Sequence, residues 1–145
     1  LSHRQEIFLK KRNITFINDS KATSFESCKQ ALYSSKNIYW IFGGLPKKGD
    51  KFNLSKLKKN INKSFIIGKN TGYFRKEIKN QIKFKIARNM NKALSLIFTE
   101  IKNKPFEKAT ILLSPASASF DQYKNFIDRG NDFKKLTKFY AKKYL

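Results

Sequence analysis

Ile38-Tyr39-Trp40-Ile41-Phe42 is an unbroken apolar run of β-branched and aromatic residues that stops at Gly43-Gly44. A strand with one wet face alternates apolar and polar side chains, so a run without alternation predicts a strand buried on both faces. Strands of that kind belong to sheets covered by helices on either side. Two further apolar stretches fit the same sheet: residues 64–67, closed by Gly68, and residues 109–113, broken by Ser114-Pro115.

Outward from these, the period changes from strand to helix and back. Residues 5–11 and 14–17 carry β-branched and aromatic side chains around the polar break Arg12-Asn13 and read as paired strands. Thr23-x-x-Glu26 has the form of a capping box ahead of Phe25, Cys28, Ala31 and Leu32, which fall on one helical face. Leu54 and Leu57 suggest a short helix, residues 73–78 a modest one and residues 82–86 a short strand. Met90, Ala93, Leu94, Ile97 and Ile101 recur at helical spacing, with Pro105 beyond their end. Ser119-x-x-Gln122 reads as a second capping box, opening a helical segment through Phe120, Tyr123, Phe126 and Ile127. A last helix is expected from about Asp132, through Phe133, Leu136 and Tyr140. The fold expected is α/β: a Rossmann-like, doubly wound, mostly parallel sheet of about six strands, with an antiparallel edge at the amino-terminal end.

The 145 residues suit one domain, 1–145, with no repeat, low-complexity linker or composition shift to divide it. The chain begins at Leu1 and has neither a basic segment leading into an apolar stretch nor an apolar run of bilayer length, which predicts a soluble piece of something larger. Cys28 is the single cysteine, so a reducing compartment and a core position are expected. His3 stands alone, and no Cys/His cluster has metal-ligand spacing.

Net charge is +22, from 32 Lys and Arg against 10 Asp and Glu. That balance raises a basic nucleic-acid-binding module as an alternative. The cations are mostly Lys, dispersed along the chain among Asn, Ile, Phe and Tyr, which favours solvated helix faces over a nucleic-acid groove.

In an open α/β sheet, ligands sit beyond the carboxyl ends of the strands. Three loops are expected on that rim: residues 18–23, residues 43–48 and residues 114–120. Hydroxyl-capped helix starts and the cations Lys21 and Lys47 would suit a small polyanion such as a dicarboxylate or a phosphate. Thr23 and Ser119 read equally well as ordinary N-caps. There is no G-x-x-x-x-G-K-S/T phosphate loop, no G-x-G-x-x-G fingerprint and no Ser/His/acid set, so catalysis by this chain alone is not expected.

Phe16-Ile17-Asn18-Asp19-Ser20-Lys21-Ala22-Thr23 resembles the I-N-D-S-K-A-T segment of the D-glutamate-adding Mur ligases. The run from Leu113 through Ser119 and Phe126 to Arg129-Gly130 is similar to that family's L-S-P-A-C-A-S-x-D-x-F-x-N-F-x-x-R-G, and Leu1-Ser2-His3-Arg4 with Glu6 to its L-P-H-R-x-E. The resemblance spans the chain and is to the carboxy-terminal domain. Sister ligases of folate-polyglutamate type are a second alternative, disfavoured by the segment from Asn18 to Thr23.

The resemblance implies an ATP-dependent amide-forming ligase of the bacterial cytoplasm, adding D-glutamate to UDP-N-acetylmuramoyl-L-alanine in peptidoglycan synthesis through an acyl phosphate. ATP and Mg2+ would serve the full-length enzyme, with the metal ligands and phosphate loop on an absent central domain. A further absent amino-terminal domain would hold the UDP-sugar. Those missing domains would be the partners, without specific nucleic acid or membrane, in a monomer. By the same resemblance Thr23, Lys47, Ser119, Phe120 and Phe126 would hold D-glutamate, Arg4 and Asp19 would reach ATP, and Lys21 would steady the reacting phosphoryl group. Ser117 stands where the family has Cys, and Ser2 where it has Pro. The loop Gly43-Gly44-Leu45-Pro46-Lys47-Lys48 departs from G-G-x-D-K-G, which leaves the substrate role open between Lys47 and Lys48.

Overall fold

A computed structural model describes residues 1–104 and 107–145; Pro105, expected beyond a helix end, lies outside the described residues. Strands β1 (Glu6–Lys11), β2 (Ile14–Asn18), β3 (Ile38–Phe42), β5 (Ile61–Ile67), β6 (Phe84–Arg88) and β7 (Ala109–Leu113) form one sheet in the order β1-β2-β7-β3-β5-β6. All neighbours run parallel except β1, which pairs antiparallel with β2 at the edge. Short strands β4 (Leu45–Pro46) and β8 (Ser117–Ala118) make a separate antiparallel ladder. The doubly wound sheet with its antiparallel amino-terminal edge is therefore the observed architecture.

All five residues of β3 are buried, and they alternate between two cores. Ile38, Trp40 and Phe42 face helices α1 (Phe25–Ser34) and α2 (Thr71–Ile78), with Ile66 and Leu112 beside them. Tyr39 and Ile41 face helices α3 (Met90–Ile101) and α4 (Phe126–Tyr144), with Phe16, Phe65 and Ile111. Each fully buried side chain of the Phe or Ile class contributes roughly 1.5–3 kcal/mol, so a strand buried on both faces is anchored from both layers. Trp40 stacks on Phe42 at 4.2 Å between ring centroids and donates its indole N–H to the Ser114 carbonyl at 2.7 Å. That bond ties the centre of the sheet to the loop leaving β7.

Helix starts differ from the sequence expectation in two places. The N-cap of α1 is Ser24, whose hydroxyl accepts from the Ser27 N–H, so Thr23 lies one residue outside the helix. The reciprocal partner is the Ser27 hydroxyl, 2.6 Å from that of Ser24, rather than Glu26. No helix starts at Ser119. Its carbonyl accepts from the N–H groups of Gln122 and Tyr123 in a single turn, and α4 starts only at Phe126, capped by Asn125. Pairing of Ser117 and Ala118 with β4 draws the chain into an extended path just before Ser119, which postpones the helix.

From Phe126 a single helix runs for 19 residues where two were expected. Gly130 sits inside it, a placement that costs about 1 kcal/mol relative to Ala. A Cβ there would come within 2.2 Å of His3 Nδ1, so close packing of the amino-terminal segment requires the glycine. Smaller differences concern the middle of the chain. Leu54 and Leu57 lead through a turn into a 3-10 turn at Lys58–Asn60, β5 starts at Ile61 rather than 64, and β6 ends at Arg88 rather than 86.

Candidate functional site

Parallel strands end together, so Asn18, Phe42, Ile67, Arg88 and Leu113 place their following loops on one rim. Backbone bonds stitch those loops to one another. The Asp19 N–H donates to Leu113 O at 2.7 Å, Ser114 N–H to Ile41 O at 3.1 Å and Gly43 N–H to Pro115 O at 2.9 Å. The β4–β8 ladder then pairs Leu45 with Ala118 and Pro46 with Ser117. Gly43 has φ of +125°, and a Cβ there would lie 2.1 Å from Ile67 O, so only glycine lets the 43–48 loop cross so close to β5. The three loops expected on the rim do meet there.

Beneath the rim lies a buried polar layer. Arg129, from the first turn of α4, is 1% exposed. Its guanidinium donates to Ser20 Oγ at 3.0 Å, Ser20 O at 2.6 Å and Ser117 O at 2.9 Å, while Ser20 Oγ donates to Phe126 O at 2.7 Å. Burial lowers the Arg129 pKa to about 10, which leaves it charged at neutral pH. Asp19 is also buried. Its carboxylate accepts from the Gln5 N–H at 3.0 Å and the Ser114 hydroxyl at 2.7 Å. Burial raises its pKa, and those bonds together with the Arg4 charge oppose the rise without cancelling it.

The amino-terminal segment closes this layer from the side. Asn18 Nδ2 donates to His3 Nδ1 at 2.9 Å and to Glu6 Oε1 at 3.0 Å, and the Lys21 N–H donates to His3 O. Lys134 of α4 pairs with Glu6 at 3.0 Å. Burial and the neighbouring Lys134 lower the His3 pKa from 6.5, with Glu6 opposing, so the neutral ring that accepts from Asn18 is the favoured form.

Above the rim the side chains are solvent-facing. Arg4, Lys21, Thr23, Lys47, Lys48 and Phe120 are exposed. Arg4, Asp19 and Lys21 line one cavity of about 290 Å³ together with Gln5 and the α1 residues Glu26, Ser27 and Gln30. Lys21 Nζ lies 5.8 Å from the centre of the Phe126 ring, a cation–π contact that brings Phe126 to the same corner. Thr23, Lys47, Ser119 and Phe120 do not line that cavity. Ser119 is buried, at 3% exposure. Phe120 is 68% exposed.

Two features of the rim escaped the sequence reading. Arg129 was legible only as part of a motif, since nothing in its spacing signals that its charge is satisfied by the chain's own hydroxyl and carbonyl groups. Asp50, which follows the Gly49 turn, sends its carboxylate to the Phe25 N–H at 2.8 Å, while its carbonyl accepts from the Tyr73 hydroxyl. The amino terminus of α1, expected to await an anion, thus holds one from its own chain. Among the described residues no three His, Cys, Asp or Glu side chains cluster as a metal site. Cys28 is buried, and burial pushes its thiol up to about 12, so it is an unreactive core residue.

No family model matches the chain. Curated proteins do. The chain is 48% identical over 134 residues to UDP-N-acetylmuramoylalanine–D-glutamate ligase of Wolbachia sp. subsp. Brugia malayi (strain TRS), covering 92% of the chain and 26% of that protein. It is 39% identical over 133 residues to the same ligase of Agrobacterium fabrum (strain C58 / ATCC 33970), with 92% and 28% covered. It thus spans about a quarter of the length of the curated relatives it matches. Solved structures share the fold. A domain from Haemophilus ducreyi 35000HP, assigned as a UDP-N-acetylmuramate:L-alanyl-gamma-D-glutamyl-medo-diaminopimelate ligase, superposes with TM-score 0.54 at 17% identity, covering 95% of this chain and 100% of that one. A murein peptide ligase from Psychrobacter arcticus 273-4 gives TM-score 0.56 at 8% identity, with 97% and 29% covered. With two motif loops joined on one rim and relatives of this identity along nearly its whole length, the chain belongs to the Mur ligase family, matching the carboxy-terminal domain of its UDP-N-acetylmuramoylalanine–D-glutamate ligases.

Proposed function

We propose that this chain is the amino-acid-binding domain, residues 1–145, of a bacterial cytoplasmic ligase that joins D-glutamate to UDP-N-acetylmuramoyl-L-alanine at the expense of ATP. The observation that carries the reading is the meeting on one rim of the loops at 18–23, 43–48 and 114–120, whose exposed charges, Lys21, Lys47 and Lys48, are cationic. A dicarboxylate needs two positive or N–H-rich subsites a few ångströms apart, and in this reading separate chain segments would supply them.

In this reading Lys47, with Lys48 as its neighbour, pairs with one carboxylate of D-glutamate, while Thr23 and Ser119 offer hydroxyls and Phe120 and Phe126 bound the pocket. The α1 end already carries Asp50, so a carboxylate approaching Thr23 meets a resident negative charge. Lys47, whose carbonyl accepts from the Asp50 N–H at 3.0 Å, belongs to the same turn and offsets it. Arg4 and Lys21 suit a triphosphate: both are exposed cations on one cavity, and neither is locked into a salt bridge with this domain's carboxylates among the described residues. In this reading Mg2+ and the phosphate loop would lie on the part of the full-length ligase that this chain does not span. ATP supplies the leaving phosphate that activates the alanine carboxylate. Lys21 holds positive charge beside it, and Asp19, fixed by Gln5 and Ser114, sets the direction of the Lys21 segment.

The test is turnover in the full-length ligase: phosphate release from ATP is expected to require D-glutamate and the UDP-sugar acceptor together. The domain alone is expected to show none. Turnover driven equally by other amino acids would reject D-glutamate as the substrate.

A further inference from the structure

We propose that residues 68–70, which leave β5 and belong to none of the family motifs, are a positioning element that sets the span between the lysines of the 43–48 loop and Ser119, and through it the selection of D-glutamate over the shorter D-aspartate. The inference rests on the reading of those residues as the two ends of the amino-acid site and adds what holds them apart. Three contacts carry it. First, Asn70 Nδ2 donates to Gly44 O at 3.0 Å, three residues before Lys47. Second, the Lys69 N–H donates to Asp121 Oδ2 at 3.1 Å, immediately after Ser119 and Phe120 in the chain. Third, the Arg88 carbonyl at the end of β6 accepts from the Gly68 N–H at 2.8 Å and from the Gln122 side-chain amide at 2.9 Å. One tripeptide therefore grips both loops, and the end of β6 anchors the tripeptide and the second loop together.

The fit around Gly68 is close. Its φ is +90°, and a Cβ there would lie 2.5 Å from Asp121 Oδ2 and 3.1 Å from Gly44 N, so both loops rest against the same backbone. The other backbone bonds between the two loops, Gly43 N–H to Pro115 O and the β4–β8 ladder, reach no further along the second loop than Ala118. Ser119 and Phe120 lie past them, and the Lys69–Asp121 bond secures the chain on their far side. D-aspartate is shorter than D-glutamate by one methylene, a difference that a site can read as about 10- to 200-fold. Two subsites on separate loops discriminate at that level only if their separation is held to about 1 Å. Asn70 and Asp121 touch no ligand in this scheme and act through the loops they hold.

The experiment uses the full-length ligase with D-glutamate and D-aspartate, comparing Asn70→Ala, Asp121→Ala, Asp121→Asn, Lys47→Ala and Lys48→Ala. The expected result is a KM for D-glutamate raised about 5- to 10-fold in Asn70→Ala and Asp121→Ala, the scale of one hydrogen bond, with the KM for ATP unchanged. In both, the kcat/KM preference for D-glutamate over D-aspartate should shrink. Asp121→Asn keeps an oxygen for the Lys69 N–H and should behave as wild type. A KM raised alike for D-glutamate and ATP, with a lowered thermal unfolding midpoint, would reduce the segment to a structural tie and overturn the proposal. If Lys47→Ala or Lys48→Ala raises the D-glutamate KM while Asn70→Ala and Asp121→Ala keep the wild-type KM and preference, the positioning role is refuted and the amino-acid reading survives. If neither lysine variant raises it, or wild type takes D-aspartate as readily as D-glutamate, both fall.

Discussion

The polar residues under the rim and those above it come from the same motifs yet have opposite physical circumstances. Below, Asp19, Ser20, Ser114, Ser117 and Arg129 are all buried and bonded to one another or to backbone. Above, Arg4, Lys21, Thr23, Lys47 and Phe120 face solvent. A motif read as letters does not separate these sets. The difference teaches that half of such a motif holds the loops together and the other half is free to touch a ligand, and burial decides which is which.

Substitutions can break that division, and the largest effect is expected below the rim. Arg129→Ala would strip donors from Ser20 O and Ser117 O inside a buried layer, so a loss of about 3–5 kcal/mol in unfolding free energy is expected from urea titration. A loss under about 1 kcal/mol would mean water replaces the guanidinium and the layer is not a brace. Gly43→Ala comes next. Its backbone lies in the left-handed region and a methyl group would meet Ile67 O, so about 1–3 kcal/mol should be lost, with the β4 loop displaced.

His3 gives a smaller, pH-dependent effect. Its folded pKa is lowered, so as pH falls through about 6.5 the unfolded chain takes up the proton first. The associated stability is present above that point and is lost on descending toward the folded value. Because His3 is the only histidine, a thermal melting midpoint that falls between about pH 7 and 5.5 should flatten there in His3→Asn. An unchanged slope would remove His3 from the closure of the layer. Least affected in stability is Lys47→Ala, expected within about 0.5 kcal/mol of wild type because the side chain is exposed. In the full-length ligase the same change should raise the KM for D-glutamate about 10-fold or more while leaving that for ATP alone. If Lys48→Ala shows this behaviour instead, the carboxylate belongs to Lys48.

Local chemistry was legible wherever a residue's neighbours in sequence are also its neighbours in space. The apolar run 38–42 fixed the two-sided sheet, periodicity fixed α3, and the Arg12-Asn13 break fixed the β1–β2 edge. The three loops were assignable to one rim because parallel strands point the same way. Motif letters were enough to indicate the family. Tertiary contacts decided the rest, because they set which competing local signal prevails. Ser119 has the form of a cap but lost its helix to the β4–β8 pairing, and Gly130 sits in mid-helix because His3 packs against it. Asp50 reached a helix end 25 residues away in sequence, a contact that no local pattern encodes. The role of Arg129 had the same origin: spacing records that a cation is present, and only the folded chain determines whether water or its own carbonyl groups satisfy it.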